Sequence, residues 1–314
     1  MALFNHLISA HISTKFPYCL VSFTPGITPL STAVEVLTTL AGYLAFIFSA
    51  KAFMVDRKPY QLTSLFRVHN LFLSFASALL LALMLYEVAP QVWQRGFRHT
   101  LCSPQTLTPQ LEFYYILNYY FKFIELFDTV FLALKKKPLN FLHVYHHAVT
   151  AWFCYLVLHA KLAGAWTAIT LNLTVHVFMY YYYYATAGGV RLWWKEYLTV
   201  MQIGQFILDL LLVGYAVYEH YAHNYYQHLP HSGDCSLGSL KQFELFALVV
   251  FSSYLGLFIN FYIQTYKKPP SKKLDAGCNG KDTTTCGTDT LETGWIESAT
   301  QTILIVDLYI VQFE

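Results

Sequence analysis

Apolar runs and short polar breaks alternate along this chain from Leu30 to Tyr266. A helix needs about 20 apolar residues to cross a bilayer, and seven runs approach or reach that length. They lie near Leu30–Ala50, Val68–Val88, Leu111–Leu134, Phe141–Leu158, Ala165–Ala185, Tyr197–Tyr218 and Phe243–Tyr266. The pattern predicts an all-α polytopic membrane protein: an N-terminal segment over 1–29, a seven-helix transmembrane domain over 30–266 and a tail over 267–314. The tail opens with "KKPPSKKLDAGCNGKDTTTCGTDT", a composition that predicts disorder. Its later run "ILIVDLYIV" is too short to span and contains Asp307, which leaves an interfacial or partner segment as readings. No short repeat is visible. The residues before Leu30 lack the layout of a removable signal peptide.

Composition agrees with the pattern. Of 314 residues, 56% are hydrophobic and 12% charged, with a mean hydropathy of +0.40, whereas soluble domains carry about 25% charged residues. A net charge of +2 argues against an extended nucleic-acid surface. The cations sort by side. Lys51, Arg57, Lys58, Lys135, Lys136, Lys137, Arg191, Lys195, Lys267, Lys268, Lys272, Lys273 and Lys281 fall on one side, and only Lys15, Arg95, Arg98, Lys161 and Lys241 on the other. The positive-inside rule makes the first side cytosolic, with the N-terminus outside and the C-terminus inside. Cys102 and Cys235 then share the non-cytosolic side, where a disulfide would suit an oxidising compartment; two free cysteines are the alternative. Cys19, Cys154, Cys278 and Cys286 show no metal-ligand spacing, and no metal is expected. "NLT" at Asn172 matches a glycosylation acceptor but falls inside a span, so it reads as a chance match.

Several spans carry polar residues that lipid would not tolerate. The third holds Lys122, Glu125 and Asp128 at steps of three, with Thr129 beside them. Each charge near the bilayer centre costs about 2.5–3.5 kcal/mol on insertion scales, so the stripe must face the bundle interior, where opposite signs can pair. A purely structural ion-pair ladder is the plain alternative. In the fourth span His143, His146 and His147 share one helical face at i, i+3 and i+4. The fifth places Asn172 four residues before His176 and continues that face through Met179, Tyr180 and Tyr183. Interfacial aromatic belts account for several of these rings, but not for Asn172 and His176. The sixth adds Thr199, Gln202 and Gln205, with Asp209 beyond, although amides can also simply glue helices together. Together these faces describe a wet chamber opening toward the cytosol and deepening into an apolar interior, a site for an amphipathic ligand.

The sequence resembles the ELO family of very-long-chain fatty-acid elongases. "KFIELFDT" fits K-x-x-E-x-x-D-T, "HVYHH" fits H-x-x-H-H, "NLTVHVFMYYYY" fits N-x-x-x-H-x-x-M-Y-x-Y-Y, and "TVMQIGQ" fits T-x-x-Q-x-x-Q. The four motifs stand in the family's order, and the resemblance covers Lys51 to Lys268. "QIGQFILDL" and "LPHSGDC" look most like the fungal members, a branch that implies saturated and monounsaturated acyl substrates. The resemblance implies seven helices, six of them enclosing a narrow tunnel closed at the lumenal end. It implies a 3-ketoacyl-CoA synthase, the condensing step of chain elongation, in which acyl-CoA and malonyl-CoA give 3-ketoacyl-CoA, CO2 and CoA without a bound cofactor. It also implies residence in the endoplasmic reticulum membrane beside the reductase and dehydratase of the cycle, and leaves a homodimer open. This chain ends "YIVQFE" rather than in the dilysine-type signal of many members.

On that reading His146 and His176 would carry the acyl-transfer or base roles, because a neutral imidazole can attack a thioester and form an acyl-imidazole. His143 and His147 would orient them and stabilise the developing oxyanion. Lys122, Glu125 and Asp128 would fix the cluster electrostatically, while Asn172, Gln202, Gln205 and Tyr180 donate hydrogen bonds and Met179 and Tyr183 complete the wall. Lys135, Lys136, Lys137, Arg191, Lys195, Lys267 and Lys268 are candidates for the CoA phosphates, or merely set topology. Two rivals stand beside this reading. A membrane di-iron desaturase or hydroxylase also uses H-x-x-H-H but needs more histidine ligands on one side, and His220 and His223 fall on the other. A non-enzymatic seven-helix transporter or receptor would leave the three histidines without a role.

Overall fold

The computed structural model describes residues 22–235 and 243–267. Lys15, Cys19 and Lys241, and the tail residues Lys268, Lys272, Lys273, Cys278, Lys281, Cys286 and "ILIVDLYIV", lie outside the described residues. Among the described residues all regular structure is helical. In chain order the α-helices are α1 (Ala33–Phe53), α2 (Thr63–Arg95), α3 (Phe97–Cys102), α4 (Pro109–Leu134), α5 (Phe141–Ala160), α6 (Trp166–Thr186), α7 (Lys195–Asn224) and α8 (Phe243–Tyr262). A wider helical turn, Ile263–Lys267, continues α8.

Local chemistry sets several boundaries. α1 starts in a capping box: the Thr32 hydroxyl accepts from the Glu35 N–H, and the Glu35 carboxylate accepts from the Thr32 N–H. α4 starts at Thr108 and Pro109, where a proline costs no hydrogen bond. The Thr108 hydroxyl accepts the Leu111 N–H and donates to Glu87 on α2 at 2.8 Å, tying the two helices at that end. α2 runs past the expected stop at Val88, with Pro90 inside it, and ends at Gly96, whose φ of +85° suits only a residue without a side chain. α7 likewise overruns the expected Tyr197–Tyr218 at both ends.

Among the described residues, five helical segments are long and apolar enough to cross a membrane: α1, α2, α5, α7 and the Leu245–Lys267 run through α8. The protein is therefore a multi-pass membrane protein. α4 and α6 fall short of that apolarity, although they span 26 and 21 residues. They are the helices that carry Lys122, Glu125 and Asp128, and Asn172, His176 and five consecutive tyrosines. Both are shielded by packing: α4 lies along α5 and also touches α1 and α2, and α6 lies between α2 and α7. α7 also packs along α8.

The two ends of the bundle differ. At one, Lys136 donates to the carbonyls of Val55 and Arg57 at 2.7 and 3.1 Å, and Arg67 lies over the Tyr184 ring. At the other, Cys102 at the end of α3 is disulfide-bonded to Cys235 beyond α7, and Arg98 pairs with Glu219 at 3.1 Å. The connection between α5 and α6 packs here too. A side chain on Gly164 would collide with the backbone carbonyl of Leu101, and Trp166 donates to the Thr100 carbonyl at 3.0 Å.

Candidate active site

The polar stripe of α4 is buried and partnered from its neighbours. Lys122, 3% exposed, donates to Glu125 at 2.9 Å and to the Asn172 side-chain oxygen on α6 at 2.7 Å. Asn172 in turn places its amide 3.3 Å from His176 Nε2, one turn along α6. The other ring nitrogen of His176 stands 3.2 Å from Glu125 Oε1, close enough for an ion pair but at too poor an angle for a hydrogen bond. One turn further along α4, Asp128 accepts from the Tyr180 phenol at 2.9 Å, and its second oxygen lies 2.8 Å from His69 Nε2. Thr129 accepts from Tyr43 at 2.8 Å. The stripe thus splits in two: Lys122 and Glu125 pair with each other, and Asp128 is held by His69 and Tyr180 instead of by a lysine. His69 is the member that sequence reasoning missed. Its signal was a polar residue inside an apolar run, but its partner lies 59 residues away.

The histidines of α5 converge as their spacing requires. His143 and His147 pack with ring centroids 4.3 Å apart and planes tilted by 50°, and His146 stands nearly perpendicular to His147 at 5.6 Å. The far side of the His146 ring packs on Tyr254 of α8 at 4.9 Å. That tyrosine shares a 2.9 Å hydrogen bond with Thr150 and lies 3.4 Å from the His146 carbonyl, so the ring is walled in from a helix without a motif. His143, His146, His147 and His176 all line one cavity of about 1740 Å³, open solvent at its mouth included. His143 Nε2 is buried there without a hydrogen-bond partner among the described residues.

Asp128, Asn172, Met179, Tyr180, Tyr183, Gln202 and Gln205 also line this cavity. The amides differ in what holds them: Gln202 meets the Met179 sulfur at 3.6 Å, and Gln205 donates to Asp209 at 3.2 Å. A second cavity of about 620 Å³ shares His146, Asn172, Gln205 and Phe206 with the first and adds Lys122 and Cys154. A third, of about 530 Å³, shares Phe153, Val157 and Phe251 with the second and reaches Leu101 and Ala216, beside the disulfide. The wall therefore changes from polar to apolar along the bundle.

The cations expected to meet phosphates do not line the chamber. Among the described residues no Lys or Arg does. Lys135 sits over the Phe66 ring, Lys136 is held by two carbonyls, and Lys267 lies 3.9 Å from Glu196. Burial lowers the Lys135 ammonium pKa, the charge of Lys137 adding to the effect, and burial lowers Lys137 as well. Arg191 and Lys195 stand at the α6–α7 connection at the same end. Among the described residues no three His, Cys, Asp or Glu side chains converge as a metal-ligand set.

Comparison with known proteins finds a family match and relatives over most of the chain. The model of the ELO family, described as the GNS1/SUR4 family, matches residues 28–274. "Putative fatty acid elongase 1" of Schizosaccharomyces pombe is 45% identical over 259 residues, covering 82% of this chain and 77% of that protein. Fatty acid elongase A of Dictyostelium discoideum is 33% identical over 247 residues, covering 79% and 88%. Human very long chain fatty acid elongase 4 is 32% identical over 243 residues, covering 74% and 71%.

Proposed function

This chain belongs to the ELO (GNS1/SUR4) family of fatty acid elongases, and from that premise we propose that it catalyses the condensing step of elongation. Acyl-CoA and malonyl-CoA would give 3-ketoacyl-CoA, CO2 and CoA, with long saturated and monounsaturated chains as the acyl donors. The observation that carries this reading is the placement of His146. It lies at the junction of a polar chamber, which it shares with His176, and a mostly apolar cavity leading away from it. A thioester held at that junction would have its head among imidazoles and its hydrocarbon in the deeper cavities, which would form one tunnel ending at the disulfide.

The chemistry divides into two steps. An imidazole nitrogen of His146 attacks the thioester carbon, the C–S bond breaks, and the CoA thiolate leaves with the ring proton. Malonyl-CoA then loses CO2, and the electrons of the broken C–C bond form an enolate. The enolate carbon attacks the acyl-imidazole, the C–N bond breaks, and the ring nitrogen regains a proton, which His176 would relay. His143 and His147 stabilise the oxyanion of each step. Lys122 and Glu125 fix His176 through Asn172 and by direct approach, while Asp128 fixes Tyr180.

All seven long helices cross the bilayer in this reading, with the cationic end and the C-terminus in the cytosol and the disulfide end in the lumen of the endoplasmic reticulum. CoA would approach through the Lys135–Lys137 and Arg191–Lys195 end, and the product would pass to a membrane reductase and dehydratase. Trapping with acyl-CoA in the absence of malonyl-CoA, followed by peptide mass spectrometry, tests the scheme. Acyl mass on the His146 peptide supports it. Acyl mass on Cys154, which lines a cavity with His146, would move the carrier to the thiol.

A further inference from the structure

The second cavity contains a feature that a plain hydrocarbon does not explain. Most of its wall is apolar or aromatic, yet Asp209 of α7 and Asn118 of α4 both line it. Asp209 is 1% exposed and Asn118 is 2% exposed. Asp209 Oδ2 accepts from Gln205 at 3.2 Å, and the Asn118 amide N–H points to the Cys154 sulfur at 3.7 Å. Asp209 Oδ1 and Asn118 Oδ1 are buried without a hydrogen-bond partner among the described residues. Two helices thus each contribute to the lining of one cavity a side chain that carries a buried, unpaired acceptor oxygen.

Leaving a buried acceptor unpaired costs about 1–3 kcal/mol, and more for a charged group. A methylene chain lying against Asp209 would keep that penalty in the bound state, whereas a hydrogen-bond donor on the chain would remove it. A site built to bond a hydroxyl discriminates strongly against the analogue lacking one, because the analogue strands the polar partner. Gln205 lines both the histidine chamber and this cavity, and Asp209 lies four residues on, about 6 Å deeper along the helix. The acceptor therefore sits beyond the reacting carbonyl but before the third, apolar cavity, level with the interior of an acyl chain rather than with its head or its tail.

We propose that Asp209, supported by Asn118, forms a subsite for an acyl chain bearing a hydroxyl at an interior carbon. Hydroxyacyl-CoA is then a substrate class of this protein. The inference rests on the condensing function proposed above, since it takes the acyl thioester to lie at His146. Asp209 is a specificity residue here and takes no part in bond making.

The test uses the full-length protein in detergent or nanodiscs. It is given malonyl-CoA with either stearoyl-CoA or hydroxystearoyl-CoA isomers whose hydroxyl is moved along the chain. The expected result is one interior isomer with kcat/KM about tenfold or more above that of stearoyl-CoA. Asp209→Leu should abolish that ratio, while Asp209→Asn, which keeps an acceptor, should retain part of it. If Asp209→Leu does not yield monodisperse protein, Asp209→Asn and Asn118→Leu carry the comparison. A wild type that elongates stearoyl-CoA but prefers no isomer, or a preference unaltered by these substitutions, overturns the subsite alone. A wild type that condenses neither chain overturns the function on which it rests.

Discussion

Tyr180 on α6 donates a 2.9 Å hydrogen bond to Asp128 on α4. The same carboxylate lies 2.8 Å from His69 on α2, so a single side chain joins three helices. Tyr180 is fully buried. Tyr180→Phe removes the donor and leaves a carboxylate oxygen without a partner, at a cost of about 1–3 kcal/mol. Thermal unfolding in detergent should show a lower Tm for Tyr180→Phe. Adding Asp128→Asn should recover part of the loss, because the stranded charge is then gone.

Lys122 and Glu125 form a desolvated pair that Asn172 completes. Lys122→Met leaves the Glu125 carboxylate buried opposite an apolar chain, and removing one member of such a pair costs about 3–5 kcal/mol. The double variant Lys122→Met/Glu125→Leu should be more stable than Lys122→Met alone. An additive pair of effects in that mutant cycle would show that the two side chains do not interact.

His146→Ala should reduce 3-ketoacyl product by about a thousandfold or more, the usual scale for loss of a nucleophile, with the protein still folded. Asn172→Ala acts through His176 and Lys122 and should lower kcat with a smaller effect on KM. Radiolabelled malonyl-CoA and graded acyl-CoAs supply the measurement. Equal turnover by wild type and His146→Ala would remove the histidine from the chemistry.

The disulfide between Cys102 and Cys235 closes a separation of 133 residues. Cys102→Ser should destabilise the protein by about 2–5 kcal/mol and, because Cys235 is buried, make its thiol available to label once the variant is denatured without reductant. Both readouts are available from the purified protein, and labelling of Cys235 in denatured, unreduced wild type would contradict the bond.

What could be read from the sequence was whatever repeats at helical spacing. The His143, His146 and His147 face, the Lys122 stripe and the Asn172–His176 step all follow from offsets of three and four, and these side chains do meet. Apart from the Cys102–Cys235 pairing, which the topology allowed, partners brought together from distant segments were not legible. His69, Asn118 and Tyr254 stood as isolated polar or aromatic residues in apolar runs, and only helix packing gives them Asp128, Cys154 and His146. The apolar run near Val68–Val88 marks only the middle of α2, because the helix extends into the polar residues on either side, from Thr63 to Arg95. The sorting of cations marked one end of the bundle, but it could not say that Lys136 is already engaged by backbone carbonyls.

The covalent tie between Cys102 and Cys235 has a mechanical consequence for the whole bundle. Near Lys267 and Glu196 the α7–α8 side is held by a 3.9 Å ion pair on half-exposed side chains and by a 2.7 Å hydrogen bond from Tyr262 to Glu196, while at its opposite extremity a covalent bond ties the segment beyond α7 to α3. A lever clamped at one tip swings most at the other. Under the proposed function, freer walls around the imidazoles would let large CoA thioesters come and go, while the clamped end would keep its grip on the far hydrocarbon.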